Sequence, residues 1–132
     1  MNFKYYKSKC YYTLRTFIKG FLLKNVSKRS NGEKEVAKYL NGAKIKYKEQ
    51  VPLKLPHRRV FLDFQLEDGT VIEYNGRQHY EYTPYFHKSV NDFERQVKRD
   101  TELRNYCHDN GIRLLEIPYS VKNINKFLKE QL

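Results

Sequence analysis

The sequence lacks the features that mark a membrane protein or a disulfide-rich secreted domain. No run of about 18 apolar residues occurs, which is the length needed to cross a bilayer. The short apolar segment at residues 17–23 contains Lys19 and Gly20, so it does not fit a secretion signal. Only two cysteines, Cys10 and Cys107, occur in 132 residues, and they lack the spacing of metal ligands. These absences predict a cytoplasmic protein in a reducing compartment, with no membrane partner and no zinc site.

Acidic residues are few relative to basic ones. Twenty-six Lys and Arg stand against fifteen Asp and Glu, which gives a formal net charge of +11. Twelve Tyr and eight Phe add aromatic surface on which bases can stack. This balance favours a nucleic-acid partner, because each neutralised phosphate adds affinity through counterion release. Ribosomal, membrane-surface and other basic proteins share the same balance, so charge alone does not define the function.

The chain has the length of one domain with an N-terminal extension. Residues 1–29 are basic and rich in Tyr, and their apolar residues recur at helical spacing. This stripe favours a helix that packs on the main domain, with a DNA-binding arm as the alternative. In residues 30–132, periodicity and turn residues predict helix 33–40, strand 44–51, strands 60–66 and 70–75, helix 89–109, strand 112–117 and helix 121–131. This order predicts an α/β fold with a mixed sheet of about four strands flanked by helices.

The hairpin between residues 60 and 75 carries one carboxylate on each strand. Its first strand alternates, which predicts one face formed by Val60, Leu62, Phe64 and Leu66. A two-residue loop would pair Asp63 with Tyr74 and separate the two acids. A three-residue loop at 67–69, with Gly69 left-handed, would pair Asp63 with Glu73 on one face. Paired carboxylates repel each other unless a cation such as Mg²⁺ neutralises them, and a solvated polar strand face is the alternative explanation.

Two acids on the predicted helices, Glu33 and Asp100, lie on apolar helix faces, where exposure to solvent explains a carboxylate less well than it does on the strands. Glu33 follows the helix-start residues 30–32 at the N-terminal end of an apolar stripe. The residues within about 60° of it on a helical wheel are Val36, Ala37 and Leu40. Asp100 lies on the midline of the apolar stripe of the long helix, where an unpaired carboxylate is costly. Interaction with the helix dipole would also explain Glu33, and an ion pair with a neighbouring basic residue would explain Asp100.

Five short segments of the main domain occur in a specific order along the chain. They are Gly32-Glu33, Leu62-Asp63-Phe64, Ile72-Glu73-Tyr74-Asn75-Gly76-Arg77-Gln78-His79, Arg99-Asp100 and Leu115-Glu116-Ile117-Pro118-Tyr119. Together they resemble the PD-(D/E)xK nuclease superfamily, in the branch related to very-short-patch mismatch-repair endonucleases and EDxHD-type homing endonucleases of phage and bacteria. The resemblance covers about residues 30–131. It implies a restriction-endonuclease-like core.

The resemblance also implies a Mg²⁺-dependent DNA endonuclease acting on double-stranded DNA, with Mn²⁺ as an alternative metal. Asp63 and Glu73 would hold the metal. His79 would act as general base or proton shuttle. The expected catalytic residues are Glu33, Asp63, Glu73, Gln78, His79 and Asp100. The expected phosphate contacts are Arg58, Arg59, Arg77, Lys98 and Arg99.

Two positions depart from the pattern of that family. Asn75 stands where the family has Asp, and it also occupies the position of the superfamily's Lys, two residues after the Glu. Glu116 replaces an Arg and introduces a charge that repels phosphate. These changes favour an alternative function, a catalytically weak or inactive nucleic-acid-binding module with the same fold. A basic structural protein is a third interpretation, and the sequence leaves the oligomeric state open.

Overall fold

The computed structural model describes residues 29–132. The extension predicted for residues 1–29, as packing helix or DNA-binding arm, therefore lies outside the described residues apart from Arg29. The described elements are α1 (Asn31–Gly42), β1 (Tyr47–Lys54), β2 (Arg59–Leu66), β3 (Val71–Asn75), a 3₁₀ turn (Arg77–His79), α2 (Val90–Asp109), β4 (Leu114–Pro118) and α3 (Ile124–Gln131). No helix in this part of the chain is long and apolar enough to span a bilayer.

The strands form one mixed sheet in the order β1-β2-β3-β4. β1 pairs with β2, and β2 with β3, in antiparallel orientation. β3 and β4 are parallel, and α2 provides the crossover connection that a parallel pair requires. The predicted α/β fold, a mixed sheet of four strands flanked by helices, is confirmed.

The ends of some elements differ from the prediction where capping uses the flanking residues. β1 begins at residue 47 rather than 44, because Lys44 adopts a φ of 57° and its N–H bonds back to Asn41 O at the end of α1. β1 then continues through Pro52, which an edge strand tolerates. α3 begins at residue 124 rather than 121, because the Asn123 side chain caps it by accepting from Lys126 N–H at 2.9 Å.

Two apolar clusters pack on the sheet. The α1–α3 cluster contains Val36, Ala37, Leu40, Phe64, Leu66, Ile72, Leu115, Ile117, Ile124 and Leu128. The α2 cluster contains Val51, Leu55, Val60, Leu62, Val71, Leu103 and Cys107. Helices on both sides of the sheet bury these clusters, which leaves the acidic residues of β2 and β3 near the N-terminal end of α1 and the middle of α2.

The alternation predicted for β2 appears in its burial, and its buried residues divide between the two apolar clusters. Val60, Leu62, Phe64 and Leu66 are all buried. Val60 and Leu62 nevertheless belong to the α2 cluster, whereas Phe64 and Leu66 belong to the α1–α3 cluster. The change coincides with Gln50 on the neighbouring strand, whose φ of 48° departs from an extended conformation. The change of cluster thus falls at the level of Asp63, which a simple alternation does not reveal.

Candidate active site

The hairpin that joins β2 to β3 places Asp63 opposite Glu73. The Leu66 N–H donates to Thr70 O at 2.8 Å, which closes a three-residue loop at residues 67–69, and Gly69 in this loop has a φ of 91°. The main-chain pairs nearest to the acids are Phe64 with Ile72 and Gln65 with Val71. Continuing this register by one residue brings Asp63 level with Glu73. The three-residue loop therefore places the two acids together, as one of the two predicted loops requires.

The two carboxylates bond across the hairpin to the backbone of the opposite strand. Glu73 Oε1 accepts from Asp63 N–H at 3.1 Å, and Asp63 Oδ2 accepts from Tyr74 N–H at 2.9 Å. Both acids therefore lie between β2 and β3, beyond the last main-chain pair of the hairpin. Bonds to rigid backbone donors fix the positions of their oxygens.

Burial disfavours the ionised forms of Asp63 and Glu73, and the neighbouring basic groups do not offset this effect. Burial is the main cause that raises the pKa of Asp63 to about 6, and the Glu33 carboxylate adds to the shift. Burial also raises the pKa of Glu73 to about 8, with the Asp63 carboxylate as the second cause. The Arg99 guanidinium lowers the pKa of both acids without cancelling either shift. A divalent cation would restore the charged form of both acids, so the pair is electrostatically suited to one.

Glu33 reaches this region because α1 approaches β3 closely. A Cβ on Gly32 would lie 2.1–2.3 Å from ring atoms of Tyr74, so a side chain here would collide with that ring. The Ser30 hydroxyl accepts from Glu33 N–H at 3.2 Å and donates to Glu33 Oε1 at 3.0 Å. Glu33 is half-buried, and its charge raises the pKa of Asp63. Glu33 thus takes part in the helix cap and also acts electrostatically on the acid pair.

The 3₁₀ turn after β3 carries Gln78 and His79. Nδ1 of His79 lies 2.8 Å from Asp100 Oδ2 on α2. Gln96 Nε2 lies 3.2 Å from that Nδ1 and 3.3 Å from Asp100 Oδ1. A carboxylate at Nδ1 favours the tautomer with Nδ1 protonated, which leaves Nε2 as the basic nitrogen. Gln78 is half-buried, and its amide lies over Gly76.

Gln96 is a site residue that the sequence analysis missed. It precedes Asp100 by four residues on α2, so both side chains lie on one face of the helix. The four-residue spacing between Gln96 and Asp100 is the signal in the sequence that indicates Gln96.

Arg99 contacts acids inside the protein, although the sequence predicted a phosphate contact. Its guanidinium NH1 lies 2.8 Å from Asp100 Oδ1, and NH2 lies 3.7 Å from Glu73 Oε2 and 3.4 Å from Phe61 O. Burial alone would lower the pKa of Arg99, but the Glu73 and Asp100 carboxylates raise it. Burial would raise the pKa of Asp100, but hydrogen bonds with His79 and Arg99 lower it below its ordinary value. Asp100 is therefore a paired, ionised acid.

The remaining predicted phosphate contacts lie at different depths. Arg58 is half-buried, and its Nε lies 3.0 Å from Glu102 Oε2. Arg77 is exposed and pairs with Glu81 at 2.8 Å. The other two, both exposed, are Arg59 and Lys98. The structure therefore brings the predicted acids and His79 together, while Arg58 and Arg77 form ion pairs with acids of their own.

Asn75 and Glu116, the two departures from the resembled pattern, contact each other. Asn75 is buried, and its Nδ2 donates to Glu116 Oε1 at 3.0 Å. Arg104 binds the same carboxylate through both oxygens, with Nε 2.8 Å from Oε2 and NH2 3.0 Å from Oε1. Arg104 therefore neutralises Glu116, which does not present the isolated repelling charge that the sequence suggested. Asn75 and Glu116 therefore belong to one polar cluster, in which the Glu116 carboxylate accepts hydrogen bonds from Asn75 and Arg104.

The loop between the 3₁₀ turn and α2 presents aromatic side chains to solvent. Tyr85 is 88% exposed and Phe86 is 57% exposed, with their ring centroids 4.7 Å apart. Buried His87 anchors the loop, because its N–H donates to Thr83 O at 2.9 Å and its Nδ1 accepts from Thr83 N–H at 3.1 Å. Its ring also packs against Phe93 at 5.4 Å. The tip of the loop is thus held in place with two rings available for contact.

Asp63 and Glu73 supply oxygen ligands of the kind that Mg²⁺ prefers. Among residues 29–132, no group of three or more His, Cys, Asp or Glu side chains is arranged to hold a metal ion. Mg²⁺ is commonly bound by one or two carboxylates, because it keeps several waters and takes further ligands from substrate phosphates. The residues present therefore fit a Mg²⁺ ion that binds together with a phosphate, and do not fit an all-protein metal cage.

Curated relatives of this chain are viral proteins. The chain is 46% identical over 61 residues to "Uncharacterized protein 307L" of Invertebrate iridescent virus 6, covering 46% of this chain and 31% of that protein. It is 48% identical over 64 residues to "Uncharacterized protein 094L" of Frog virus 3 (isolate Goorha), covering 48% and 41%. "Uncharacterized protein 033L" of Invertebrate iridescent virus 3 is 41% identical over 66 residues, covering 48% and 34%. The matches thus span between 31% and 41% of the length of these relatives. No family model matches the chain, and no solved structure matches it.

Proposed function

We propose that this protein is a metal-dependent DNA endonuclease with a restriction-endonuclease-like core. The proposal rests on the Asp63–Glu73 pair between β2 and β3, in which Glu73 is buried and Asp63 half-buried, and which lies near a histidine oriented by a carboxylate. Burial and a neighbouring carboxylate, Glu33 for Asp63 and Asp63 for Glu73, raise the pKa of both acids, and strongly shifted acids beside an oriented histidine are typical of hydrolytic sites. Phosphodiester hydrolysis is the reaction that this set of groups suits best.

The side chains divide the chemistry between them. Asp63 and Glu73 would hold Mg²⁺ or Mn²⁺, which when bound polarises the scissile phosphate and assists formation of the attacking hydroxide. His79 accepts a proton at Nε2, because Asp100 holds its Nδ1. Arg99 sits against Glu73 and Asp100 and favours their ionised forms.

DNA would reach this site across the aromatic loop and the exposed basic residues. Tyr85 and Phe86 offer faces on which bases can stack. Arg59 and Lys98 are exposed, and the chain as a whole carries a formal charge of +11, which supports phosphate binding. The viral relatives support a viral setting for this activity, inside an infected cell.

Arg99 favours a second candidate function, nucleic-acid binding without cleavage. Its guanidinium lies 3.7 Å from Glu73 Oε2 and 2.8 Å from Asp100 Oδ1, so it supplies an internal cation near the place where a metal would act. A fold that compensates its acids in this way has less need of a metal. DNA cleavage remains the first candidate function, because the pKa of Asp63 and that of Glu73 stay raised despite Arg99.

Nicking of supercoiled plasmid separates the two functions. With Mg²⁺ or Mn²⁺ the protein should nick or linearise the plasmid, and EDTA should stop the reaction. Asp63→Asn should abolish cleavage and leave binding equal or tighter, because a neutral amide no longer repels the phosphate. The matched control is Asp109→Asn, an acid whose side chain is 74% exposed at the end of α2, which should cleave like the wild type. Salt-sensitive binding without metal-dependent cleavage of duplex, branched or single-stranded DNA would select the binding module.

The His79–Asp100 pair has its own test. His79→Ala should lower the cleavage rate by roughly 10²–10⁴, the usual contribution of a positioned base. Asp100→Asn should lower the rate and alter its pH profile, because an amide no longer favours one tautomer of His79. If Asp100→Ala unfolds the protein while Asp100→Asn preserves both activity and stability, Asp100 is a structural residue and not a part of the reaction.

A further inference from the structure

The residue that faces Asp63 from β1 has a backbone conformation that strands rarely contain. Gln50 has a φ of 48°, within the left-handed region, although it lies inside β1. The flanking pairs, Glu49 with Phe64 and Val51 with Leu62, keep their register. The strain is therefore confined to the one residue opposite Asp63. Left-handed residues other than glycine cost free energy and are found preferentially at functional sites.

The side chain of Gln50 reaches the proposed metal ligand. Its Nε2 donates to Asp63 Oδ1 at 3.5 Å, while Tyr74 N–H donates to Oδ2 at 2.9 Å. The carboxylate of Asp63 is thus contacted from both neighbouring strands, at long range by a side chain of β1 and closely by the backbone of β3. Gln50 is half-buried, so solvent competes only partly for its amide.

A purely structural role for Gln50 would be to let the β1–β2 ribbon turn at this level. Leu62 and Phe64 on either side of Asp63 do pack in different apolar clusters. Glycine would permit the same turn without strain, and asparagine with less strain. The turn therefore does not require a long amide side chain at this position. The contact with Asp63 gives the Gln50 amide a second role.

We propose that Gln50 is a positioning residue of the metal site, whose left-handed backbone aims its amide at Oδ1 of Asp63. This inference rests on the proposed function, because it takes Asp63 as a metal ligand. Residues that orient metal ligands typically contribute 10- to 100-fold to metal affinity. Loss of the Gln50 amide should therefore weaken metal binding without weakening the fold.

The test compares Gln50→Gly with Lys44→Gly. Lys44 is the other described non-glycine residue with positive φ, at 57°, and it is exposed in the turn after α1. Both substitutions relieve strain, so both should keep or raise the thermal unfolding midpoint of the metal-free protein. Mn²⁺ titration of the DNA-free protein, with inorganic phosphate present to supply the ligands that the substrate would provide, should show affinity reduced about 10-fold or more in Gln50→Gly and unchanged in Lys44→Gly.

Unchanged Mn²⁺ affinity in Gln50→Gly would overturn the inference, and cleavage by the wild type would leave the proposed function standing. Weakened Mn²⁺ affinity together with a wild type that does not cleave would uphold the inference and remove the proposed function. A wild type that binds no Mn²⁺ even with phosphate present would overturn both. If Gln50→Gly folds poorly, Gln50→Asn replaces it, because Asn tolerates the left-handed conformation but its amide is one methylene shorter. Weaker Mn²⁺ binding by that variant supports the positioning role, and unchanged binding overturns it.

Discussion

Glu73 bears the largest electrostatic cost among the residues of the site. Burial and the Asp63 carboxylate raise its pKa from 4.5 to about 8. The folded metal-free protein therefore keeps a proton on Glu73 at pH values where the unfolded chain has lost it. Because the folded state binds more protons between pH 4.5 and about 8, the free energy of unfolding should fall as pH rises through this range. Asp63 adds an effect of the same sign between 3.8 and about 6.

Substitution of Glu73 tests this linkage. Glu73→Gln keeps an oxygen to accept from Asp63 N–H but cannot ionise. The metal-free variant should unfold at a midpoint on the order of 5 °C above the wild type at pH 8, which corresponds to about 1 kcal/mol. The difference should shrink toward pH 5, where Glu73 is protonated in the folded protein. Thermal unfolding at several pH values checks this, and a difference that stays constant with pH would contradict it. Asp109→Asn, an exposed acid, should show no such pH dependence.

Asn75 donates a hydrogen bond to Glu116, so replacing Asn75 with the Asp of the resembled family should affect stability. Asn75→Asp would replace the amide that donates to Glu116 Oε1 at 3.0 Å with a second carboxylate in a buried place. The single substitution should therefore destabilise the fold by about 1–3 kcal/mol, the cost of an unsatisfied buried polar group. Glu116→Gln in the same chain should recover part of that loss. Denaturant unfolding of both single variants and the double variant measures the coupling, and simple additivity would show that the contact matters little.

At the scale of elements, the contact between α1 and β3 determines where the helical acid lies. Gly32 allows the first turn of α1 to lie against the Tyr74 ring, and Ser30 caps the helix at the same point. The next residue, Glu33, is thereby brought within electrostatic range of Asp63. The absence of a side chain at Gly32 is thus required for the position of the charged Glu33 side chain.

Two alanine substitutions in α1 isolate this contact. Gly32→Ala places a Cβ 2.1–2.3 Å from Tyr74 ring atoms, so it should destabilise the protein by about 1–3 kcal/mol and lower the cleavage rate by moving Glu33. Gly42→Ala lies in the same helix where a Cβ meets nothing within 4 Å, and it should leave stability equal or raise it by up to about 1 kcal/mol. Denaturant unfolding and plasmid nicking check both variants. Equal behaviour of the two would show that the approach of α1 to Tyr74 is not required.

At the scale of the whole molecule, the composition combines an excess of basic residues with a pair of adjacent acids, Asp63 and Glu73. For the proposed DNA substrate, the formal charge of +11 favours contact with the phosphates, while Asp63 and Glu73 repel a phosphate unless a cation is present. Binding should therefore weaken steeply as salt is raised, and added Mg²⁺ should reduce the repulsion at these two acids. Fluorescence anisotropy of a labelled duplex across a salt series measures this. Affinity that does not depend on salt would exclude a phosphate-dominated interface.

The aromatic loop gives a second whole-molecule test, because it lies on the surface. Tyr85→Ala removes a ring that is 88% exposed and should weaken DNA binding by about 1–3 kcal/mol if bases stack on it. Tyr85→Phe keeps the ring and should bind like the wild type. The fold should be unaffected in both variants, since His87 rather than Tyr85 anchors the loop. Loss of binding in Tyr85→Phe would point to the hydroxyl and not to stacking.

The helices, the strands and the candidate acids could be predicted from the sequence. Periodicity, caps and turn residues are local signals, so they located the helices and strands with shifts of a few residues at the ends. The position of Gly69 in the hairpin loop was enough to make the register of Asp63 and Glu73 one of two predicted alternatives. The burial of Asp100 also followed from helical spacing, because a helix face is a property of a single segment.

How these segments meet could not be predicted from the sequence and required the folded structure. The contacts of Arg99 with Glu73 and Asp100, of Asn75 with Glu116, and of Gln50 with Asp63 each join different elements. The packing of Leu62 and Phe64 in different clusters likewise depends on the neighbouring strand. Such contacts depend on distances between elements and on the depth of each side chain, which spacing along one chain does not encode. The charge of a residue could be read from the sequence, whereas its partner could not.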